Sequence, residues 1–234
     1  MPRLLNRSKY PRCDSSEDPL PLYFWPIIGR FYHHRVDRAL NLLLGAEKHE
    51  GPSRVLEVGY GCGTSFLGLI DHFDEIHGLD THDYGSAIKY TFAREGIKAH
   101  LTQGTILDPP YAPGYFDAIL AISILEHLGP SDQARVMFQV NRLLRPGGIF
   151  VVGTPGVNRL MSVGFRMLGY DISKHHLSRP SQVREAAANV FTIERIMRLP
   201  AFGPDFFLLY EWFKARKITV ANAGIGETNA ARNP

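Results

Sequence analysis

The feature that most constrains this chain is the stretch Val55-Leu-Glu-Val-Gly-Tyr-Gly-Cys-Gly-Thr64. A short apolar run ends in an acidic residue, Glu57. Glycines follow at alternate positions, Gly59, Gly61 and Gly63, before Thr64 opens a segment that can be a helix. Such a pattern reads as strand, tight turn and helix start. It lets a backbone pass very close to a nucleotide-like ligand, because a Cβ would block either the positive-φ geometry of the turn or the ligand itself. Spacing narrows the reading. A dinucleotide fingerprint is G-x-G-x-x-G, whereas this stretch is E-x-G-x-G-x-G, which argues against a dinucleotide-dependent oxidoreductase.

Downstream of this turn, strand and helix patterns alternate. Strands are predicted near 54–58, 76–80, 98–102, 117–122 and 148–153, and helices near 64–72, 84–95, 131–144 and 181–189. That alternation implies a parallel sheet covered on both faces. Phe191 to Leu199 and Phe206 to Lys214 then read as two strands with no helix between them, joined by a Gly203-Pro204 turn, which makes an antiparallel hairpin.

The ends differ in composition. Residues 1 to 20 carry Pro, Ser, Arg and Asp without periodicity and are expected to form a mobile arm. Tyr23, Phe24 and Trp25 follow, and from His33 onward Val36, Leu40, Leu43 and Leu44 fall on one helical face. Residues 1–50 are thus expected to be an N-terminal arm and helical cap, 51–217 the main domain and 218–234 a flexible tail rich in Ala, Asn and Gly. A chain of 234 residues, 44% hydrophobic, fits one doubly wound domain of roughly 150–200 residues with short extensions. A net charge of +3 does not by itself argue for nucleic acid. The two cysteines, Cys13 and Cys62, are no disulfide framework and suit a reducing compartment. No apolar run is as long as the ~18 residues of a transmembrane helix, and no signal-peptide pattern opens the chain, so the default location is cytoplasmic.

Glu57-Val-Gly-Tyr-Gly-Cys-Gly63 resembles the first motif of the class I S-adenosylmethionine-dependent methyltransferases. Ile76-His-Gly-Leu-Asp80 is similar to that family's second strand and its acidic ribose ligand. The segment from Tyr115 to Leu128 is similar to its fourth strand and the Glu-His turn after it, and Leu143 to Val152 to the turn into its fifth strand. The resemblance runs over residues 51 to 215, with the motifs in the family's order. It implies an α/β, doubly wound, Rossmann-like sheet of seven strands, mostly parallel with an antiparallel C-terminal hairpin and helices on both faces. It also implies S-adenosyl-L-methionine as cofactor, S-adenosyl-L-homocysteine as product and a small-molecule acceptor.

The family's pattern carries over to particular residues. Gly59, Tyr60, Gly61 and Gly63 line the cofactor's approach. The N–H groups of the helix start at Thr64 and Ser65 face its carboxylate. Asp80, with Thr81 beside it, takes the ribose hydroxyls; the alternative is a helix cap. Glu57 either binds the cofactor's amino group or braces the glycine turn. Where many relatives carry Gly-Asp after the third strand this chain has Gly104-Thr105, so the adenine contact falls to the Thr105 hydroxyl, to Asp108, or to backbone groups of Thr105 and Ile106. Ser123, after the fourth strand, completes the cofactor set.

For the acceptor side, His127 could act as a general base or be structural, and His175 and His176 are candidates for contacting substrate. Some similar quinone-pathway enzymes use a divalent metal held by an extra Glu, but here that position is Ser123, so no metal site is expected. Asp108-Pro-Pro-Tyr111 spells the signature of amino-group methyltransferases acting on nucleic acid. It precedes the fourth strand instead of following it, so it reads as a connection and a nucleic-acid partner is disfavoured. The aromatic N-terminal segment and Phe202 to Trp212 could line an apolar acceptor pocket, make a dimer contact or touch a membrane surface peripherally; oligomeric state stays open. The alternative to an enzyme is a non-catalytic S-adenosylmethionine-binding module of the same fold, acting through a partner protein.

Overall fold

Seven strands build a single sheet in the computed structural model, which describes residues 3–11, 20–43, 51–156 and 177–218. They are β1 (Arg54–Val58), β2 (Glu75–Asp80), β3 (Ala99–Gln103), β4 (Phe116–Ile122), β5 (Leu144–Pro155), β6 (Phe191–Leu199) and β7 (Tyr210–Lys217). The spatial order is β3-β2-β1-β4-β5-β7-β6. The first five strands pair in parallel, while β7 runs antiparallel to both β5 and β6. This is the doubly wound sheet with a terminal hairpin that the sequence implies.

The described helices are α1 (Leu20–Tyr23), α2 (Ile28–Leu43), α3 (Phe66–Leu69), α4 (Gly85–Arg94), α5 (Pro130–Leu143) and α6 (Pro180–Ala188). They pack on both faces. Leu40 and Leu43 of α2, Phe66 of α3 and Phe92 of α4 share one apolar cluster with Val55, Leu120 and Val151. Val136 and Val140 of α5 and Val183 of α6 share another with Leu56, Ile119 and Phe150. Because β4 is covered on both sides, its residues form a near-continuous apolar run, not an alternating one. Each fully buried large apolar side chain contributes about 1.5–3 kcal/mol.

Strand order reverses between β1 and β4, so a crevice opens at their carboxyl ends, where doubly wound sheets bind ligands. Helix α2 is held against the sheet close to this edge. Its Val36, Ala39, Leu40 and Leu43 are buried on one face, and the Trp212 indole N–H donates to the Arg35 carbonyl across 2.9 Å.

Four local expectations are corrected. Helix α2 starts at Ile28, ahead of His33. Residues 3–11 are no loose arm: Leu5 and Tyr10 join the apolar cluster, Tyr10 meets the Phe92 ring edge-on at 6.2 Å, and Lys9 pairs with Glu95 at 2.7 Å. Two anchors suffice to dock a segment that has no periodicity. The helix predicted over 64–72 shrinks to four residues, Phe66–Leu69, with turns on either side; Gly68 inside it and a β-branched Ile70 after it disfavour extension. The last strand begins at Tyr210, because Asp205–Phe207 after Pro204 form a short 3-10 turn with Phe206 and Phe207 exposed. Apart from Ile218, the predicted tail lies outside the described residues. Among the described residues, no helix is long and apolar enough to cross a membrane.

Candidate active site

Strand β1 ends in the glycine turn. Gly59, Gly61 and Gly63 have φ of 69°, 49° and 72°, conformations in which an L side chain is strained. At Gly59 a Cβ would also lie 2.1 Å from Ile124 Cδ1, whereas at Gly61 it would meet nothing within 4 Å. Gly61 therefore faces open space at the carboxyl edge, the side on which a ligand can approach the backbone. The turn is fixed from beneath: the Gly59 N–H donates to the Leu79 carbonyl at 2.8 Å and the Gly63 N–H to the Tyr60 carbonyl at 2.7 Å.

Asp80, closing β2, is aimed at this turn. Its Oδ2 accepts the Gly61 N–H at 2.9 Å and its Oδ1 the Thr81 N–H at 2.7 Å. His82 adds a group that the sequence reading missed. Its Nε2 lies 3.1 Å from the Gly61 carbonyl and 3.5 Å from Asp80 Oδ2, and its ring stacks on Tyr84 at 4.2 Å. Its Nδ1 is buried without a hydrogen-bond partner. No sequence motif marks this histidine; only its place two residues after Asp80 could have drawn notice.

Several expected cofactor residues turn inward. Glu57 is buried and its carboxylate accepts the hydroxyl of the fully buried Ser65. Burial pushes its carboxyl up to about 8, with Asp80 adding to the rise and Ser65 opposing it. This geometry favours the bracing role over a direct ligand contact. The Tyr60 ring is buried and packs on Phe66 and His82, so the turn offers its backbone there and not the phenol. The Ile106 side chain belongs to the core beneath the sheet. Thr105 is exposed at the end of β3, and its hydroxyl accepts the Leu107 N–H at 3.2 Å. Thr64 reaches the N-terminal segment, donating to the Tyr23 hydroxyl at 3.3 Å.

The four-residue α3 removes the long helix dipole expected behind Thr64 and Ser65. Positive charge sits across the crevice instead, on Arg35. Ser123 follows β4 with a φ of 56°. Its hydroxyl accepts from Arg35 Nη1 at 3.0 Å and lies 2.8 Å from the Tyr210 hydroxyl. The Arg35 guanidinium rests over the Tyr32 ring at 4.0 Å and is 7% exposed. Arg35 lies in a helix read for its apolar face, and Tyr210 in the Phe202–Trp212 stretch read as a possible pocket lining, dimer contact or membrane patch; neither was singled out as a site residue.

Of the Glu-His pair, it is Glu126 that is buried, at 1% exposure. Among the described residues, neither of its carboxylate oxygens has a hydrogen-bond partner from another side chain. Burial raises its carboxyl to about 8, against the pull of its own backbone N–H and of Arg35. His127 is exposed, its Nε2 4.0 Å from Glu126 Oε1. His175 and His176 lie outside the described residues. One further expectation is corrected: Cys62, buried within the glycine turn, is disulfide-bonded. A pair of cysteines is enough for one bridge; the chain's other cysteine, Cys13, lies outside the described residues.

Comparison with known proteins agrees with this geometry. Residues 55–148 match a family model described as a methyltransferase domain. A protein of Mycolicibacterium smegmatis described as a probable S-adenosylmethionine-dependent methyltransferase is 31% identical over 102 residues, 43% of this chain and 37% of that one. This chain spans less than two-fifths of the length of the curated relatives it matches. Among solved structures, the N-methyltransferase NodS from Bradyrhizobium japonicum, in complex with S-adenosylhomocysteine, superposes with a TM-score of 0.64 at 19% identity, covering 87% of this chain and 93% of its own. A geranyl diphosphate methyltransferase in complex with S-adenosylmethionine gives 0.66 at 14% identity, covering 88% and 93%. Identities this low speak to the shared fold.

Proposed function

We propose that the chain is a class I S-adenosylmethionine-dependent methyltransferase, a reading that the match of residues 55–148 to a methyltransferase-domain model supports, and that it moves a methyl group from S-adenosylmethionine to a small-molecule acceptor of lipophilic or aromatic character. The observation that carries this reading is the glycine turn with Asp80 hydrogen-bonded to its Gly61 N–H at 2.9 Å, on the open side of Gly61. The residues present fit an adenosine-type cofactor. Asp80 has lone pairs left for ribose hydroxyls, the Gly61 face leaves room for a close backbone approach, and the unpartnered His82 Nδ1 offers a further polar contact.

When bound, the cofactor supplies a methyl group already activated on a sulfonium. The protein's part is then to hold two reactants in line and keep water out. Asp80 and the glycine turn hold one reactant over the end of β1. The acceptor approaches from the N-terminal segment and the end of β7, where Tyr23 and Tyr32 are buried and Trp25, Phe202, Phe206 and Phe207 are exposed. That concentration of rings supports an apolar or aromatic acceptor.

The test is calorimetric titration of the folded protein with S-adenosylhomocysteine, with a reduced nicotinamide cofactor as control. Micromolar-range binding of the first alone is expected. Binding of the nicotinamide cofactor, or of neither, refutes the reading.

A further inference from the structure

The crevice of a doubly wound sheet opens at the carboxyl edge of its parallel strands, so the surface around that edge decides what can reach it. The start of β7 lies there, because Tyr210 pairs with Pro155 at the end of β5. Helix α2 runs beside β7 in the same sense. Its Arg35 carbonyl meets Trp212, and one turn earlier the Phe31 ring meets Tyr210 edge-on at 6.3 Å. Ile27, just ahead of the helix, therefore stands past the strand ends, about 6 Å beyond Phe31 at the helical rise per residue.

Three separate segments surround the opening, and each exposes large apolar side chains. Ile27 is 85% exposed, and Trp25 beside it is exposed too. In the connection between β6 and β7 every residue from Pro200 to Phe207 is exposed. Phe202 reaches 91% exposure, and the Phe206 and Phe207 rings lie 4.1 Å apart. On the β4 side Leu177 is exposed, while its N–H is fixed to the Glu126 carbonyl at 2.7 Å. The 200–207 connection is also held firmly. The Leu209 N–H closes its base on the Leu199 carbonyl at 2.8 Å, Leu208 is buried beneath it, and Arg198 pairs with Asp205 across it. A ring held out in water forgoes its burial energy, and a set of them at one edge marks a surface that something apolar covers.

Charge identifies the cover. Arg30, three residues after Ile27, and Arg179, two after Leu177, are exposed among these apolar tips. The carboxylate of the 200–207 connection, Asp205, is already paired with Arg198. Apolar tips set among cations suit an anionic lipid layer. Position favours a bilayer over a protein as well. The exposed side chains ring the opening that the acceptor has to use. A rigid partner seated on them would seal the crevice, whereas a fluid bilayer covers the same rim, excludes water and delivers a lipophilic acceptor.

We propose that this rim is a membrane-docking face. Ile27, Phe202 and Phe206 enter the apolar boundary of an anionic bilayer, Arg30 and Arg179 meet its headgroups, and the acceptor passes from the bilayer into the crevice. That last step rests on the function proposed above; the docking itself does not.

Co-sedimentation of the full chain with vesicles tests it, using phosphatidylcholine alone and phosphatidylcholine with phosphatidylserine in equal parts. Wild type is expected on the mixed vesicles and at least tenfold more weakly on the neutral ones. The double variant Phe202→Ser, Phe206→Ser binds the mixed vesicles at least tenfold more weakly than wild type. Its thermal midpoint and its S-adenosylhomocysteine affinity stay at wild-type values, because both rings are exposed and their turn lies at the β6–β7 end of the sheet, away from β1. Arg30→Gln weakens binding to the mixed vesicles about fivefold and leaves the neutral ones unaffected. The proposal is overturned if wild type stays in solution with both vesicles, or if the serine variant binds them as wild type does. In that event a dimer dispersed by the serine variant assigns the rim to a second copy of the chain, and a lowered thermal midpoint assigns the rings to packing within it. Wild type that binds vesicles but not S-adenosylhomocysteine keeps the docking face and refutes the methyltransferase reading, so the two failures are distinct.

Discussion

Glu57 gives the most quantitative prediction. It ends a buried strand segment, its only named partner is the Ser65 hydroxyl, and burial moves its carboxyl from the ordinary 4.5 up to about 8. The unfolded chain carries an ionised Glu57 at neutral pH, while the folded chain keeps it protonated. For a carboxyl raised by folding, the native state binds the extra proton. Stability is therefore fully present below about 4.5 and falls as pH climbs toward about 8. At 1.36 kcal/mol per pKa unit, the cost at pH 7 is about 3 kcal/mol. Glu57→Gln keeps the shape and an oxygen to accept from Ser65 but cannot ionise. The variant's advantage over wild type is therefore under about 1 kcal/mol at pH 5, grows by about 1.4 kcal/mol per unit and levels off above pH 8. In a chain of this size about 3 kcal/mol corresponds to roughly 6–12 °C in Tm. Urea unfolding of both proteins from pH 5 to 8.5 measures it. Glu126, raised in the same way, is present in both proteins and cancels in the difference. A gap that stays constant with pH, or a variant that is less stable at pH 8, refutes the assignment of a neutral buried carboxyl.

Two further outcomes follow from single contacts. Asp80→Ala removes the acceptor of the Gly61 N–H as well as the carboxylate proposed to take the ribose hydroxyls, so S-adenosylhomocysteine affinity is expected to fall at least tenfold, about 1.4 kcal/mol or more; unchanged affinity in a titration would remove Asp80 from the site. Trp212→Phe deletes the indole bond to the Arg35 carbonyl, which keeps its intrahelical donor inside α2, at a cost of about 0.5–1.5 kcal/mol in urea unfolding; no measurable loss would mean that α2 is positioned by packing alone.

How much of this was legible beforehand depends on the range of the signal. The glycine turn and Asp80 were readable because their chemistry is written in the backbone, in residues that few substitutes can replace at positive φ. The strand order followed from alternation, since parallel strands covered on both faces must be apolar throughout, as β4 is. What the sequence hid was direction and distance. Tyr60 and Ile106 sit where cofactor residues belong in sequence, yet their side chains enter the core. Of the Glu-His pair, the imidazole looked like the reactive group, but the turn after β4 puts Glu126 inside and His127 at the surface.

Arg35 shows why the far half of the crevice was read only in part: Ser123 was named, but its cationic partner was not. It lies among apolar residues of α2, 88 positions before Ser123 and on a different element from Tyr210, and helical periodicity would assign it only to the buried face. A buried arginine on an apolar helix face conflicts with local patterning, and such conflicts gather at functional sites, where local consistency is given up for chemistry. Here the fold tolerates the conflict because tyrosine rings from α2 and β7 cover the guanidinium and Trp212, packed beside Tyr210 on β7, holds the backbone of the helix. Two strands anchor the helix over the crevice: β4 presents Ser123 to Arg35, and β7 presents both Tyr210 and Trp212. Ligand binding at Ser123 should accordingly be felt in the docking of α2, which is where the two halves of the site meet.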